Sequence, residues 1–136
     1  MKKKLQQELI QRATKAKRNA YAPYSKFRVG AAILTEGGEI FEGCNVENSS
    51  YGLTSCAERN AIFNAVYKGK RKVLAVAITS DEKEFLTPCG ACRQVISEFG
   101  DGNTEIILTT VDGKSKAIKL EKIFPTPPSL EKLKNK

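Results

Sequence analysis

Seven consecutive residues near the middle of the chain, 73–79 (VLAVAIT), are apolar at odd and even positions alike. A strand that is apolar on both faces has to be covered on both sides, so the chain must fold around a sheet with material packed above and below it. The flanking segments supply that cover. Residues 55–68 carry Ala57, Ala61, Ile62 and Ala65 on one side of a helix, with Gly69 as the stop. Residues 87–100 read as a second helix, with Thr87 as N-cap, Pro88 in its first turn and Gly100 at its end. Nearer the amino terminus, Leu5, Leu9, Ala13, Ala16 and Ala20 recur at helical intervals and mark another helix that ends before Pro23.

The remaining strands come as hairpins. Phe27, Val29, Ala31 and Ile33 alternate as strand residues do, Gly37-Gly38 supplies a turn, and residues 39–45 return. Residues 106–110 form a further strand, Asp112-Gly113 turns the chain, and residues 117–120 close a second hairpin. Two short helical pieces follow, separated by the break at residues 125–128. The order α-β-β-α-β-α-β-β-α predicts an α/β fold, a three-layer α/β/α sandwich around a mixed five-stranded sheet. Residues 1–136 are expected to form a single domain, with no internal repeat or linker and a less regular tail after about residue 125.

The chain contains no histidine. That excludes a Ser-His or Cys-His dyad, a His-ligated metal and an imidazole base, so any metal must bind through Cys, Asp or Glu. The amino-terminal residues are basic and then polar, with no apolar run behind them, which predicts neither a signal peptide nor a membrane anchor. A cytoplasmic location is therefore expected, where the four cysteines read as thiols or metal ligands rather than disulfides. The net charge of +8 raises the question of nucleic acid. Its distribution answers against it: residues 1–28 hold nine basic and one acidic side chain, residues 113–136 seven and two, and residues 29–112 seven and twelve. The positive charge lies at the two ends, and the middle is acidic.

Three cysteines fall at the starts of the two central helices: Cys56 in one, Cys89 and Cys92 in the other. Unpaired backbone N–H groups and the positive end of the helix dipole favour thiolates there. Cys89 and Cys92, three residues apart on one helix face, can both reach one ion, and Cys56 makes a third ligand. Three protein ligands on a tetrahedral Zn2+ leave one position open for water, as in a catalytic site. Glu58, two residues after Cys56, is then the candidate proton shuttle, and Arg59 the cation that draws charge from the thiolates. Blander readings remain open for each. Ser55-x-x-Glu58 is also a capping box, Cys44 is available as a fourth ligand of a structural zinc, Asn45 and Glu47 suit an ordinary turn, Phe27 and Tyr51 suit a core, and Arg59 and Arg93 suit a surface.

The pattern Cys-Ala-Glu at 56–58 with Pro-Cys-x-x-Cys at 88–92 resembles the zinc nucleoside and nucleobase deaminases, with Cys56 where many members have histidine. Residues 43–48 (GCNVEN) are similar to the ribose-binding segment of free-nucleoside cytidine deaminases, and residues 24–32 and 92–94 extend the likeness over residues 20–100. The resemblance is to the small, all-cysteine, homotetrameric cytidine deaminases of bacteria. It implies one zinc per chain on Cys56, Cys89 and Cys92, with Glu58 moving protons between water, ring N3 and the leaving amino group. It implies that Asn45 and Glu47 bind the ribose, that Phe27 packs on the pyrimidine, and that Ala57 adds to the substrate contacts. Ser49 and Tyr51 fall where the family reaches into a neighbouring subunit's site. The family also places an aromatic after a Leu-Pro near its C-terminus, to cover a neighbour's substrate; this chain departs there, reading Ile123-Phe124-Pro125.

The activity so implied is hydrolytic deamination of cytidine and 2'-deoxycytidine to the uridines in pyrimidine salvage. The competing readings are a polynucleotide deaminase, a deaminase of a nucleoside-like antibiotic, and a non-catalytic zinc module. Between Val29 and Glu58 there are five acidic residues and no Lys or Arg, a poor lining for a phosphate backbone. The expected partner is a small nucleoside, with no nucleic acid and no membrane.

Overall fold

The doubly apolar run forms β3 (Val73–Ser80), in which every residue except Leu74 is buried. In the computed structural model, which describes residues 1–131, β3 is the middle strand of a five-stranded sheet ordered β2-β1-β3-β4-β5. Its other members are β1 (Val29–Thr35), β2 (Ile40–Cys44), β4 (Glu105–Thr109) and β5 (Ser115–Lys119). The sheet is mixed, since β3 and β4 are parallel while the other three pairings are antiparallel.

Two helices cross one face. From β2 the chain enters α2 (Ala57–Tyr67), passes over β1 and continues as β3, and α3 (Gly90–Phe99) then joins β3 to β4. Because β2 and β3 end where the antiparallel β1 begins, the first turns of α2 and α3 lie at that same edge of the sheet. Both helix starts that carry cysteines are thereby brought to one place.

The strand residues sort by parity onto two faces. Ala31, Ile33, Val76, Ile78, Ile106 and Leu108 pack with Ala61, Ile62 and Ala65 of α2 and Ile96 of α3. Ala32, Leu34, Ala75, Ala77 and Ile107 pack against Leu9 and Ala13 of α1 (Lys3–Lys17). The three layers follow. Each fully buried Leu or Ile here contributes about 1.5–3 kcal/mol. β1 corrects the simple alternation read from Phe27 onward: it starts at Val29, and after that residue both of its faces are buried, because α2 covers one and α1 the other.

Two glycines set how closely the helices approach. A Cβ on Gly30 would sit 2.0 Å from the Ala13 carbonyl oxygen, and one on Gly43 would sit 2.4 Å from the Ala61 nitrogen. α1 and α2 therefore lie directly on the backbone of β1 and β2.

The helix starts differ from the sequence expectation. α2 begins at Ala57 with Cys56 as its N-cap, and α3 begins at Gly90 with Cys89 as its N-cap. Thr87 and Pro88 lie outside α3, and Cys89 takes the capping role instead, its sulfur accepting the N–H of Cys92 at 3.4 Å. After β5, α4 (Leu120–Ile123) is the first of the two expected helical pieces; Leu130 and Glu131 start the second, whose continuation lies outside the described residues.

Candidate metal centre and its cavity

With the two helix starts abutting at the sheet edge, Cys56, Cys89 and Cys92 bring their sulfurs within 4.8 Å of one another. The Cys89 and Cys92 sulfurs are 3.3 Å apart, and those of Cys56 and Cys89 are 3.9 Å apart. Three thiolates bound at 2.3 Å to one tetrahedral zinc would be about 3.8 Å apart, so the donor set fits that ion. Among the described residues no other group of three or more potential ligands converges, and Cys44 on β2 is not part of this one. The structural-zinc alternative thus loses its fourth cysteine. Burial pushes the Cys44 thiol up, as for a small apolar residue.

The three thiols are electrostatically unequal. A hydrogen bond from Cys92 pulls Cys56 down to about 5, burial opposes it, and Arg59 adds to the lowering. The same contact, with burial, pushes Cys92 up. Arg59 donates from Nη2 to the Cys56 sulfur at 3.3 Å, and its buried Nε has no partner. Arg59 is accordingly part of the thiol cluster and not a free surface charge. Arg93 is no surface charge either: it donates to the Pro88 carbonyl at 2.9 Å, the Ile123 carbonyl at 3.0 Å and the Thr87 hydroxyl at 3.0 Å, tying the entry of α3 to the C-terminal segment.

Glu58 is 5% exposed. Burial raises its carboxyl above the usual range, with the negative Cys56 adding and its own backbone N–H opposing. The capping box is not formed, because the N-cap is Cys56 and the Ser55 hydroxyl instead bonds the Asn60 side chain at 2.8 Å. Asn60 in turn donates to the Cys44 carbonyl at 2.7 Å, joining the end of β2 to the segment that enters α2. Glu58 is left free of that capping role.

Beside the thiols opens a cavity of about 260 Å³, and its wall includes Cys56, Ala57, Glu58, Phe27, Asn45 and Glu47. Asn45 and Glu47 come side by side because Val46 is bridged to both Tyr21 and Ser55, which keeps residues 45–47 extended. Neither is an idle turn residue. Asn45 accepts from the Val29 N–H at 3.0 Å and donates to the Phe27 carbonyl at 2.9 Å. Glu47 accepts from the N–H groups of Tyr24 and Ser25 at 3.0 and 3.1 Å, and from the Ser25 hydroxyl, which holds its carboxyl below the usual range. By donor and acceptor count, Asn45 keeps one N–H and Glu47 about one lone pair for a ligand.

Ser49 and Tyr51 do not line this cavity. Tyr51 is 83% exposed, which removes it from the core, and it borders an adjoining hollow with Tyr24, Asn48 and Glu47. Phe124 packs against the hydrophobic core of its own chain. A wider groove of about 370 Å³ runs between α1 and the β4–β5 end, but Lys, Gln, Thr and Ser side chains line it without a thiol or carboxylate. Sequence reasoning assigned no role to Ser25, Thr54 or Leu86, all of which line the 260 Å³ cavity. Each sits in an irregular loop, where hydrophobic periodicity carries no signal.

The chain is similar to known proteins over most of its length. The family model for the cytidine and deoxycytidylate deaminase zinc-binding region matches residues 3–108. A cytidine deaminase of Sporosarcina psychrophila is 47% identical over 127 residues, 93% of either chain. One of Halalkalibacterium halodurans is 45% identical over 88% of this chain and 90% of its own. The crystal structure of cytidine deaminase from Burkholderia pseudomallei superposes with a TM-score of 0.87 at 42% identity, covering 94% of this chain and 100% of that one.

Proposed function

The chain belongs to the cytidine and deoxycytidylate deaminase family and is a zinc-dependent enzyme that removes the amino group of cytidine by hydrolysis, and on that premise we propose which residues do the work. Cys56, Cys89 and Cys92 would hold the single ion of each chain. When bound, zinc supplies the Lewis acidity that makes water a nucleophile at neutral pH. Glu58 takes the proton released as the water oxygen attacks C4 and places it on ring N3. It passes a second proton to the departing amino nitrogen, so that cytidine and water become uridine and ammonia. Arg59 draws negative charge from Cys56. Asn45 and Glu47 offer their remaining hydrogen-bonding capacity to the ribose hydroxyls, Phe27 packs on the pyrimidine, and Ala57 walls the same space. The observation that carries this reading is the buried Glu58 beside three converged sulfurs, in the wall of a cavity that Phe27, Asn45 and Glu47 share.

The same reading extends to 2'-deoxycytidine, to pyrimidine salvage and to a reducing cytoplasm, where three thiols stay available for a metal. It takes the chain as one catalytic domain that assembles as a homotetramer with shared sites. Tyr51 at 83% exposure, bordering the hollow next to the cavity, and Leu53 at 70% support assembly as large side chains left uncovered, with the exposed Ser49 close by in sequence. Light scattering on the purified protein tests this.

The deciding assay follows the ultraviolet spectrum of cytidine, 2'-deoxycytidine, cytosine and a single-stranded oligonucleotide with the zinc-loaded protein. Only the two nucleosides should change. Glu58→Ala should abolish turnover and retain zinc; loss of the metal in that variant would make Glu58 a ligand and overturn its assigned role.

A further inference from the structure

Lys26 has φ +61°, the one non-glycine residue with positive φ among those described. For a side chain of that kind this conformation costs on the order of 1 kcal/mol and persists only where its surroundings impose it. The residue after it is Phe27. The turn is pinned by the Lys26 N–H on the Ala22 carbonyl at 3.0 Å, and by Glu47, which receives the Tyr24 and Ser25 N–H groups on one oxygen and the Ser25 hydroxyl on the other. The Phe27 N–H completes the set by donating to the Ser25 oxygen at 3.0 Å.

The direction of this chain is not ambiguous. A backbone N–H can only donate, so the Ser25 oxygen accepts from Phe27; an ionised carboxylate can only accept, so the Ser25 proton points at Glu47. Ser25 thus stands between the carboxylate and the backbone nitrogen of Phe27, while Asn45 holds the Phe27 carbonyl at 2.9 Å. Of the two peptide groups flanking the ring, one is tied to Glu47 through Ser25 and the other directly to Asn45.

We propose that Ser25 is a positioning residue that carries Glu47's hold to the backbone of Phe27, so that the group gripping the ribose also sets the ring that meets the pyrimidine. This rests on the roles assigned above to Glu47 and Phe27. Its consequence is that losing the Ser25 hydroxyl weakens nucleoside binding even though Ser25 need not touch the nucleoside.

The test is steady-state kinetics on the zinc-loaded enzyme with cytidine. Ser25→Ala should raise KM about tenfold, the effect of losing a charge-assisted hydrogen bond, with kcat changed less than about twofold and zinc content intact. Ser25→Thr, which keeps the hydroxyl, should restore KM. Glu47→Gln should raise KM as well, and the double variant Ser25→Ala/Glu47→Gln should be no worse than the poorer single one, because both changes break one chain. If Glu47→Gln raises KM while Ser25→Ala does not, or if the two effects multiply, the relay is overturned and the ribose assignment stands. If Ser25→Thr fails to restore KM, the hydroxyl is not what matters and the relay is overturned too. If Glu47→Gln leaves KM unchanged, the ribose assignment falls and the relay with it.

Discussion

Gly43 lies on β2, yet its close contact with α2 bears on where the Cys56 thiol stands relative to those of α3. A Cβ at this position would be 2.4 Å from the Ala61 nitrogen, 2.7 Å from the Ala57 carbonyl oxygen and 2.9 Å from the Asn60 carbonyl carbon. All three are backbone atoms of α2 and cannot rotate aside, so reaching ordinary contact distance requires the helix to lift by about 1 Å. Its φ is not in the positive range, so Gly43→Ala adds no strain of its own and the perturbation is purely steric. Overpacking of this size costs about 1–3 kcal/mol, which for a chain of this length lowers Tm by roughly 4–12 °C. A second effect is local. Cys56 caps α2 whereas Cys89 and Cys92 belong to α3, so lifting α2 opens the 3.9 Å separation between the Cys56 and Cys89 sulfurs.

Zinc affinity should then fall on the order of tenfold. Chelator competition measures that loss, and a thermal melt of the same samples measures the stability. Gly37→Ala is the control, because its Cβ would meet nothing closer than 3.6 Å, and it should change neither quantity. A Gly43→Ala protein with the parent's Tm and zinc affinity would refute the claim that close packing of α2 on β2 sets the thiol geometry.

Three further outcomes are expected. Cys44→Ala should retain one zinc per chain by metal analysis, since Cys44 lies outside the thiol cluster; loss of zinc would restore the four-cysteine site. Thr79→Val should leave Tm unchanged or raise it, by up to about 1 kcal/mol of stability, because the buried Thr79 hydroxyl has no partner; a clear fall in Tm would contradict that. Asp81 is held below its ordinary 3.8, first by the bidentate Arg28 and then by Lys17, against burial. A depressed carboxyl stabilises the fold above its unfolded pKa and loses that contribution as pH falls through the folded value. The Tm gap between the parent and Asp81→Asn should therefore be present at pH 7, shrink below about pH 4 and narrow in high salt; a gap independent of pH would deny the ion pairs any part in it.

The element pattern was readable because periodicity along the chain records which faces are apolar, and those faces meet in the folded core. β3 follows from its two apolar faces, α2 from the spacing of Ala57, Ala61 and Ala65, and the metal centre from thiols at two helix starts. Local rules misjudged the starts themselves. Thr87 and Pro88 form a good N-terminal signal, but the sulfur of Cys89 takes the capping bond, and Ser55 bonds Asn60 rather than capping. Arg59 was legible beside Cys56, three residues away, whereas Arg93 looks like a surface charge in sequence, because one of the groups it serves comes from the C-terminal segment.

The sequence by itself determined the chemistry at hand: no imidazole, three thiols spaced for one ion, one carboxylate next to them, and enough two-sided apolar strand to demand a covered sheet. Tertiary structure decided what each group does. Glu47 reaches Ser25 across 22 positions and Arg93 reaches Ile123 across 30. Hydrogen-bond partners so far apart leave no periodic trace, because directional bonds are chosen by the distances and angles that exist only after the core has packed.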